Sequence, residues 1–171
     1  MVATSYGGNA AVIAAQRRPD LVVSLALFEP ACFDLARGRP AVEEHIAAMD
    51  PVYAVADDPA VSAREFSLLF AEAMGEPAPE LSKDDLEEAV GRLRRLRPPW
   101  GTGISAALGL PVPTLVVTGG WSPLYDETAE ALATLGAMRS ELPGAGHAAH
   151  QDPRAHGLLR DFWARVEVRE R

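Results

Sequence analysis

The sequence predicts an α/β protein with a buried parallel sheet that is interrupted by a helical insertion. Two apolar runs of strand length, Leu21–Phe28 and Pro113–Thr118, have the pattern of strands covered on both faces. Segments with helical periodicity adjoin both runs, and this alternation is typical of parallel sheets. We therefore expect a core built from residues 1–30 and 111–171, with residues 31–110 inserted as a helical cap.

Length and composition limit the classes of function that fit. The chain has 171 residues, 48% of them hydrophobic, which suffices for a packed core. Sixteen Lys and Arg residues against 24 Asp and Glu residues give a net charge of −8, so a nucleic-acid partner is not expected. We expect no membrane partner and a cytoplasmic location, because no apolar run approaches ~20 residues and no signal peptide is visible. The sequence leaves open whether the chain forms a homo-oligomer.

The first elements predict half of a βαβ unit. "MVAT" is expected to end a strand, and Gly7–Arg17 is a run of mostly small residues that predicts a helix able to pack closely on a sheet. Pro19 stops this helix, and the strand Leu21–Phe28 follows. The only cysteine, Cys32, excludes a disulfide within the chain and is expected to be a small buried apolar group.

The insertion contains three amphipathic segments of helix length. They are "RPAVEEHIAAM", "AVSAREFSLLFAEAM" and "SKDDLEEAVGRLRRLR", and Pro- and Gly-rich stretches follow the second and the third. Ser82 and Asp85 at the start of the third segment predict a helix N-cap. The α/β alternation then returns with the strand Pro113–Thr118, a helix "DETAEALATLG", a short strand "AMRSEL", a loop "PGAGHAAHQDP" and a closing helix.

Three motifs in this order resemble the α/β-hydrolase fold superfamily. They are Ala3-Thr4-Ser5-Tyr6-Gly7, which resembles the G-x-S-x-G nucleophile elbow, the strand and loop "PTLVVTGGWSP", and the histidine loop "PGAGHAAHQDP". The resemblance covers nearly all of the chain outside the insertion, and a helical cap at that place is common in the family. It implies a three-layer parallel-sheet fold, represented here by its part from the elbow onward.

The resemblance implies that Ser5 is the nucleophile and that the backbone N–H of Tyr6 is one oxyanion donor. The elbow needs small neighbours two residues to either side; Gly7 meets this, whereas Ala3 replaces the usual glycine. The alternative is that Ser5 only caps the helix that follows. His147 between Gly146 and Ala148 resembles the catalytic base, while His45, His150 and His156 are expected to be surface groups.

The third member of the triad is open. Relatives often carry an aspartate at the position that Ser122 occupies here, and a serine cannot supply the negative charge. Glu29, at the end of the strand Leu21–Phe28, is the favoured acid, as in haloalkane dehalogenases, which place it there. Asp126 is the second candidate, although it is expected inside a helix. Both keep the chain order serine, acid, histidine.

The resemblance implies a serine hydrolase of small-molecule esters or related acyl compounds, acting through an acyl-enzyme. No cofactor or metal is expected, because the histidines are scattered and Cys32 has no partner at ligand spacing. Trp121, Tyr6 and Phe33 are candidates for an apolar pocket. The rival hypothesis is a non-catalytic fold relic or interaction protein that keeps the elbow for structural reasons.

In the family about four strands precede the elbow, and a loop among them gives the second oxyanion N–H. The resemblance therefore implies either a longer natural enzyme with an upstream start or a truncated product. For residues 1–171 alone we expect poor solubility or self-association, low esterase activity, and an uncovered apolar edge at the strand Leu21–Phe28.

Overall fold

A computed structural model describes residues 1–75 and 77–169. Its sheet has four parallel strands in the order β1-β2-β3-β4. The strands are β1 (Val2–Thr4), β2 (Leu25–Phe28), β3 (Thr114–Thr118) and β4 (Met138–Glu141). The predicted parallel sheet is confirmed.

Six α-helices accompany these strands in the described residues. They are α1 (Gly7–Arg17), α2 (Pro40–Ala54), α3 (Ala63–Met74), α4 (Lys83–Leu93), α5 (Pro123–Thr134) and α6 (Ala155–Arg169). Short 3-10 turns lie at Pro19–Leu21, Phe33–Ala36, Ala106–Leu108 and Gly146–Gln151. No helix in residues 1–75 and 77–169 has the length and apolarity needed to cross a bilayer.

The two central strands send alternate side chains to opposite faces of the sheet, as strand geometry requires. Leu25 and Leu27 of β2 pack into one cluster, whose helical members come from α1 and α5. Ala26 and Phe28 pack into a second cluster, whose helical members come from α6. The sheet is therefore the middle of three layers, as the sequence predicts.

The chain divides into two compact units. One contains residues 1–39 and the chain from Pro99 onward, and the other is Pro40–Pro98. Helices α2, α3 and α4 form the second unit around a core of Val52, Ala56, Phe66 and Val90. The second unit lies within the limits 31–110 that the sequence suggests for a cap. The assignment of residues 31–110 as a cap stays a prediction.

Local interactions define the ends of the helices in the second unit. Ser62 and Glu65 form a reciprocal capping box at the start of α3, and the Ser82 hydroxyl accepts a hydrogen bond from the backbone N–H of Asp85 at the start of α4. Arg94 donates hydrogen bonds to the carbonyls of Ala56 and Val61. These hydrogen bonds tie the end of α4 to the loop between α2 and α3.

β2 is shorter than the sequence suggested. Pro19–Leu21 forms a 3-10 turn, so the strand begins only at Leu25, and Leu21 and Val23 are exposed. The prediction of an uncovered apolar edge at β2 is also wrong, because β1 and β3 flank this strand and all four of its residues are buried. The outer strands are β1 and β4, and Val2 of β1 is half exposed.

The parallel register brings three strand ends to one edge of the sheet. Thr4 pairs with Phe28, and Phe28 pairs with Val117. The residues that follow these strands, Ser5, Glu29 and Gly119, therefore leave the sheet side by side. Loops at the carboxyl ends of parallel strands are where such folds place their functional groups.

Cys32 gives a chemical test of the core. Its thiol is fully buried, and burial raises its pKa to about 12. At pH 8 only about one thiol in ten thousand is then ionised, and the thiolate is the reactive form. We expect iodoacetamide to leave native Cys32 unmodified at pH 8 and to alkylate it in denaturant, as measured by intact mass. Comparable rates in the two conditions would contradict this packing.

Candidate active site

Ser5 occupies a sharp turn between β1 and α1. Its φ of 49° lies in the left-handed region, which is uncommon for a residue other than glycine. Ser5 N–H donates to the Phe28 carbonyl at 2.9 Å, while the Ser5 carbonyl accepts from Gly8 N–H and Ala31 N–H at 2.9 and 3.0 Å. These backbone bonds hold a conformation that costs about 1–3 kcal/mol.

Glu29 repeats this arrangement at the end of β2. Its φ is 46°, and its N–H donates to the Val117 carbonyl of β3 at 2.9 Å. The side chain is completely buried. A buried carboxylate needs donors around it, because an unpaired charge in the interior is costly.

Two groups from the loop after β3 supply those donors. Gly119 N–H donates to Oε1 of Glu29. The indole N–H of Trp121 donates to Oε2 at 2.9 Å. Oε2 is also the carboxylate oxygen that faces His147.

His147 lies between the serine and the carboxylate. Its Nε2 is 3.1 Å from Oγ of Ser5, and its Nδ1 is 3.7 Å from Oε2 of Glu29. The first separation is a hydrogen-bond distance, whereas the second is longer than a hydrogen bond. The His147 side chain is 45% exposed, so the imidazole borders solvent while the carboxylate does not.

The histidine loop owes its position to glycines. A Cβ on Gly119 would overlap the Gly146 carbonyl oxygen and lie 2.6 Å from the Gly146 nitrogen. Gly144 N–H donates to the Gly119 carbonyl at 3.1 Å. Because Gly146 directly precedes His147, this close approach holds the backbone next to His147 against the end of β3.

The second candidate acid, Asp126, is engaged elsewhere. It lies in α5, where its carboxylate accepts a hydrogen bond from Oγ1 of Thr118 at 3.0 Å and pairs with Arg139 at 3.1 Å. Of the two carboxylates that the sequence left open, the structure brings Glu29 to the imidazole.

The other histidines differ from one another. His156 and His150 are exposed, and Nδ1 of His150 lies 3.4 Å from Oγ1 of Thr4 beside the serine. His45 is only partly exposed, and its burial lowers its pKa, so it is not the simple surface group that the sequence suggested.

Aromatic rings surround the imidazole on one side. Tyr125 and Trp121 have ring centroids 5.0 and 6.1 Å from that of His147. Trp121 and Tyr6 are exposed, as a pocket lining requires, but Phe33 is buried beside Tyr125. Phe33 therefore belongs to the core and not to an open pocket.

Sequence reasoning did not find the roles of Gly119 and Trp121 around Glu29. The paired glycines of "GGWSP" were a signal for close backbone approach, but a tryptophan gives no sign of the acceptor that its N–H will meet. For metals, no group of three or more His, Cys, Asp or Glu side chains in the described part of the chain is arranged to hold an ion.

Comparison with known proteins gives a family match. A sequence model described as "Alpha/beta hydrolase family" matches residues 1–156. No curated protein matches the sequence. Among solved structures, NosK from Streptomyces actuosus is 27% identical with a TM-score of 0.53, over 97% of this chain and 69% of that protein.

Two further structures come from studies of esterases. A structure from work on carboxylesterases of the thaumarchaeon Nitrososphaera gargenis is 16% identical with a TM-score of 0.50, over 97% of this chain and 64% of that one. A thermophilic esterase from Thermogutta terrifontis is 23% identical with a TM-score of 0.49, over 96% and 64%. The chain thus spans 64–69% of the length of these three proteins.

The contact between Gly119 and Gly146 can be tested by substitution. Gly119→Ala should destabilise the protein by about 1–3 kcal/mol, because the added methyl group must displace backbone and not a flexible side chain. Gly157→Ala is the matched control, since the space around Gly157 in α6 is open and alanine favours a helix. Urea unfolding measures both changes. Equal stability of the two variants would show that the loop does not depend on this contact.

Proposed function

Since the chain belongs to the alpha/beta hydrolase family, we propose that it is a serine hydrolase of small-molecule esters or related acyl compounds. The observation that carries the proposal is the contact of 3.1 Å between Oγ of Ser5 and Nε2 of His147. A fold alone does not define a reaction, so the argument proceeds from these side chains.

In the proposed reaction Ser5 is the nucleophile and His147 is the general base. The serine hydroxyl attacks the acyl carbonyl as its proton passes to Nε2 of His147. The attack converts the substrate carbonyl into a tetrahedral oxyanion. Collapse of this intermediate expels the leaving group, which takes the proton from His147. Water then attacks the acyl-enzyme with His147 again as base, and the acid product and free Ser5 result.

Glu29 is proposed as the group that orients His147. The buried carboxylate faces Nδ1 at 3.7 Å and would stabilise the positive charge that the imidazole gains in each step. Its burial supports the role, since little water competes for the charge. The backbone N–H of Tyr6 is proposed as an oxyanion donor at the start of α1, where the helix dipole favours negative charge.

A fluorophosphonate probe tests the nucleophile. Such a probe reacts with serines whose hydroxyl is activated by a base, so we expect a single adduct at Ser5, located by peptide mass spectrometry. Ser5→Ala should abolish the adduct, and His147→Gln should slow its formation about 10²–10⁴-fold. A folded chain without any adduct, or with one unchanged in Ser5→Ala, would favour the non-catalytic relic.

The two carboxylates can be separated by matched amide substitutions. Glu29→Gln should slow labelling of Ser5 by about a hundredfold or more, because the imidazole loses its anionic partner. Asp126→Asn removes a carboxylate that contacts Thr118 and Arg139, so labelling should change by less than about threefold. Rates are compared after circular dichroism has shown that both variants are folded. The reverse order of the two effects would assign the acid to Asp126.

A further inference from the structure

The loop after β3 contributes donors to the candidate site and no carboxylate that faces the imidazole. Of residues 119–122, Gly119 and Trp121 both donate hydrogen bonds to Glu29, one to each carboxylate oxygen. Oε1 has a backbone donor. Oε2 has the side chain of Trp121, and Oε2 is the oxygen nearer to Nδ1 of His147.

We propose that Trp121 is a positioning residue that acts through Glu29, its indole N–H holding Oε2 in the orientation that faces His147. The inference rests on the proposed function, because it assigns a part in the reaction of Ser5. Trp121 does not exchange a proton with the substrate in this role.

Geometry supports an effect on the carboxylate. The Nε1–Oε2 distance is 2.9 Å, the carboxylate is fully buried, and hydrogen bonds to charged groups are among the stronger ones in proteins. Without the indole, only the Gly119 N–H would remain on Oε1, and the Glu29 side chain could rotate about its last torsion. Oε2 would then face Nδ1 for only part of the time.

The exposure of Trp121 separates this role from a role in the core. Trp121 is 47% exposed as a residue, so removal of its side chain leaves no large cavity. Its ring lies edge-on to His147 with centroids 6.1 Å apart. The ring could therefore also act by contact, and a test must distinguish the N–H from the ring.

Two substitutions make that distinction. Trp121→Phe keeps an aromatic ring and removes the N–H, whereas Trp121→Ala removes both. We expect each variant to slow fluorophosphonate labelling of Ser5 about tenfold, since the N–H is the effective group. Trp163→Phe, which removes an indole N–H from α6, is the matched control and should leave the rate unchanged. A normal rate in Trp121→Phe with a slow one in Trp121→Ala would overturn the proposal in favour of ring contact.

A double-mutant cycle then tests whether Trp121 acts through Glu29. Trp121→Phe should cost about tenfold in the wild-type background and less than about twofold when Glu29 is already glutamine. Equal costs in the two backgrounds would overturn the proposal, because they would assign the effect to general structure or to contact with the probe.

A measurement that needs no activity completes the test. In a proton–nitrogen correlation spectrum, the indole signal of Trp121 should move in Glu29→Gln by far more than those of Trp100 and Trp163. An unmoved signal would overturn the hydrogen bond itself. If the wild-type chain shows the hydrogen bond but is not labelled at Ser5, the proposed function fails and the inference fails with it. If labelling occurs and the cycle is additive, the inference alone fails.

Discussion

The arrangement of the site depends on two residues that leave adjacent parallel strands with positive φ. Ser5 and Glu29 have nearly the same φ, 49° and 46°, and each donates its N–H to a carbonyl of the next strand. The hydrogen-bond ladder of the sheet thus continues one residue into each turn. It stabilises backbone conformations that residues other than glycine rarely adopt. Because the register is parallel, both turns project at one edge of the sheet. The spacing of a serine and a buried carboxylate is in this way a property of the sheet itself.

The electrostatics of the site follow from the same geometry. Glu29 is fully buried, whereas His147 is partly exposed on a loop that glycines hold against the end of β3. A carboxylate in this position interacts strongly with neighbouring charges, because little water screens it. Hydrogen bonds from Gly119 and Trp121 offset part of the cost of burying the carboxylate. The carboxylate therefore has donors on both oxygens while Oε2 also faces the imidazole of His147.

Most strands and helices, and the two motif residues of the candidate site, could be predicted from the sequence, because each depends on a pattern of neighbouring residues. Uniformly apolar runs indicated β2 and β3, small residues indicated the close packing of α1, and the elbow and histidine motifs indicated Ser5 and His147. The start of β2 was predicted too early, since apolarity at Leu21 and Val23 does not reveal the 3-10 turn that Pro19 begins. The partners of Glu29 could not be predicted, because they depend on which side chains meet across strands some ninety residues apart.

The most direct test of the account is the proton on Nδ1 of His147. When the imidazole is protonated beside a buried carboxylate, this proton should give a resonance far downfield of the amide region in a proton spectrum. The account predicts that this resonance is present in the wild-type chain, absent in Glu29→Gln and retained in Asp126→Asn. Its persistence in Glu29→Gln, or its loss in Asp126→Asn, would contradict the pairing of Glu29 with His147.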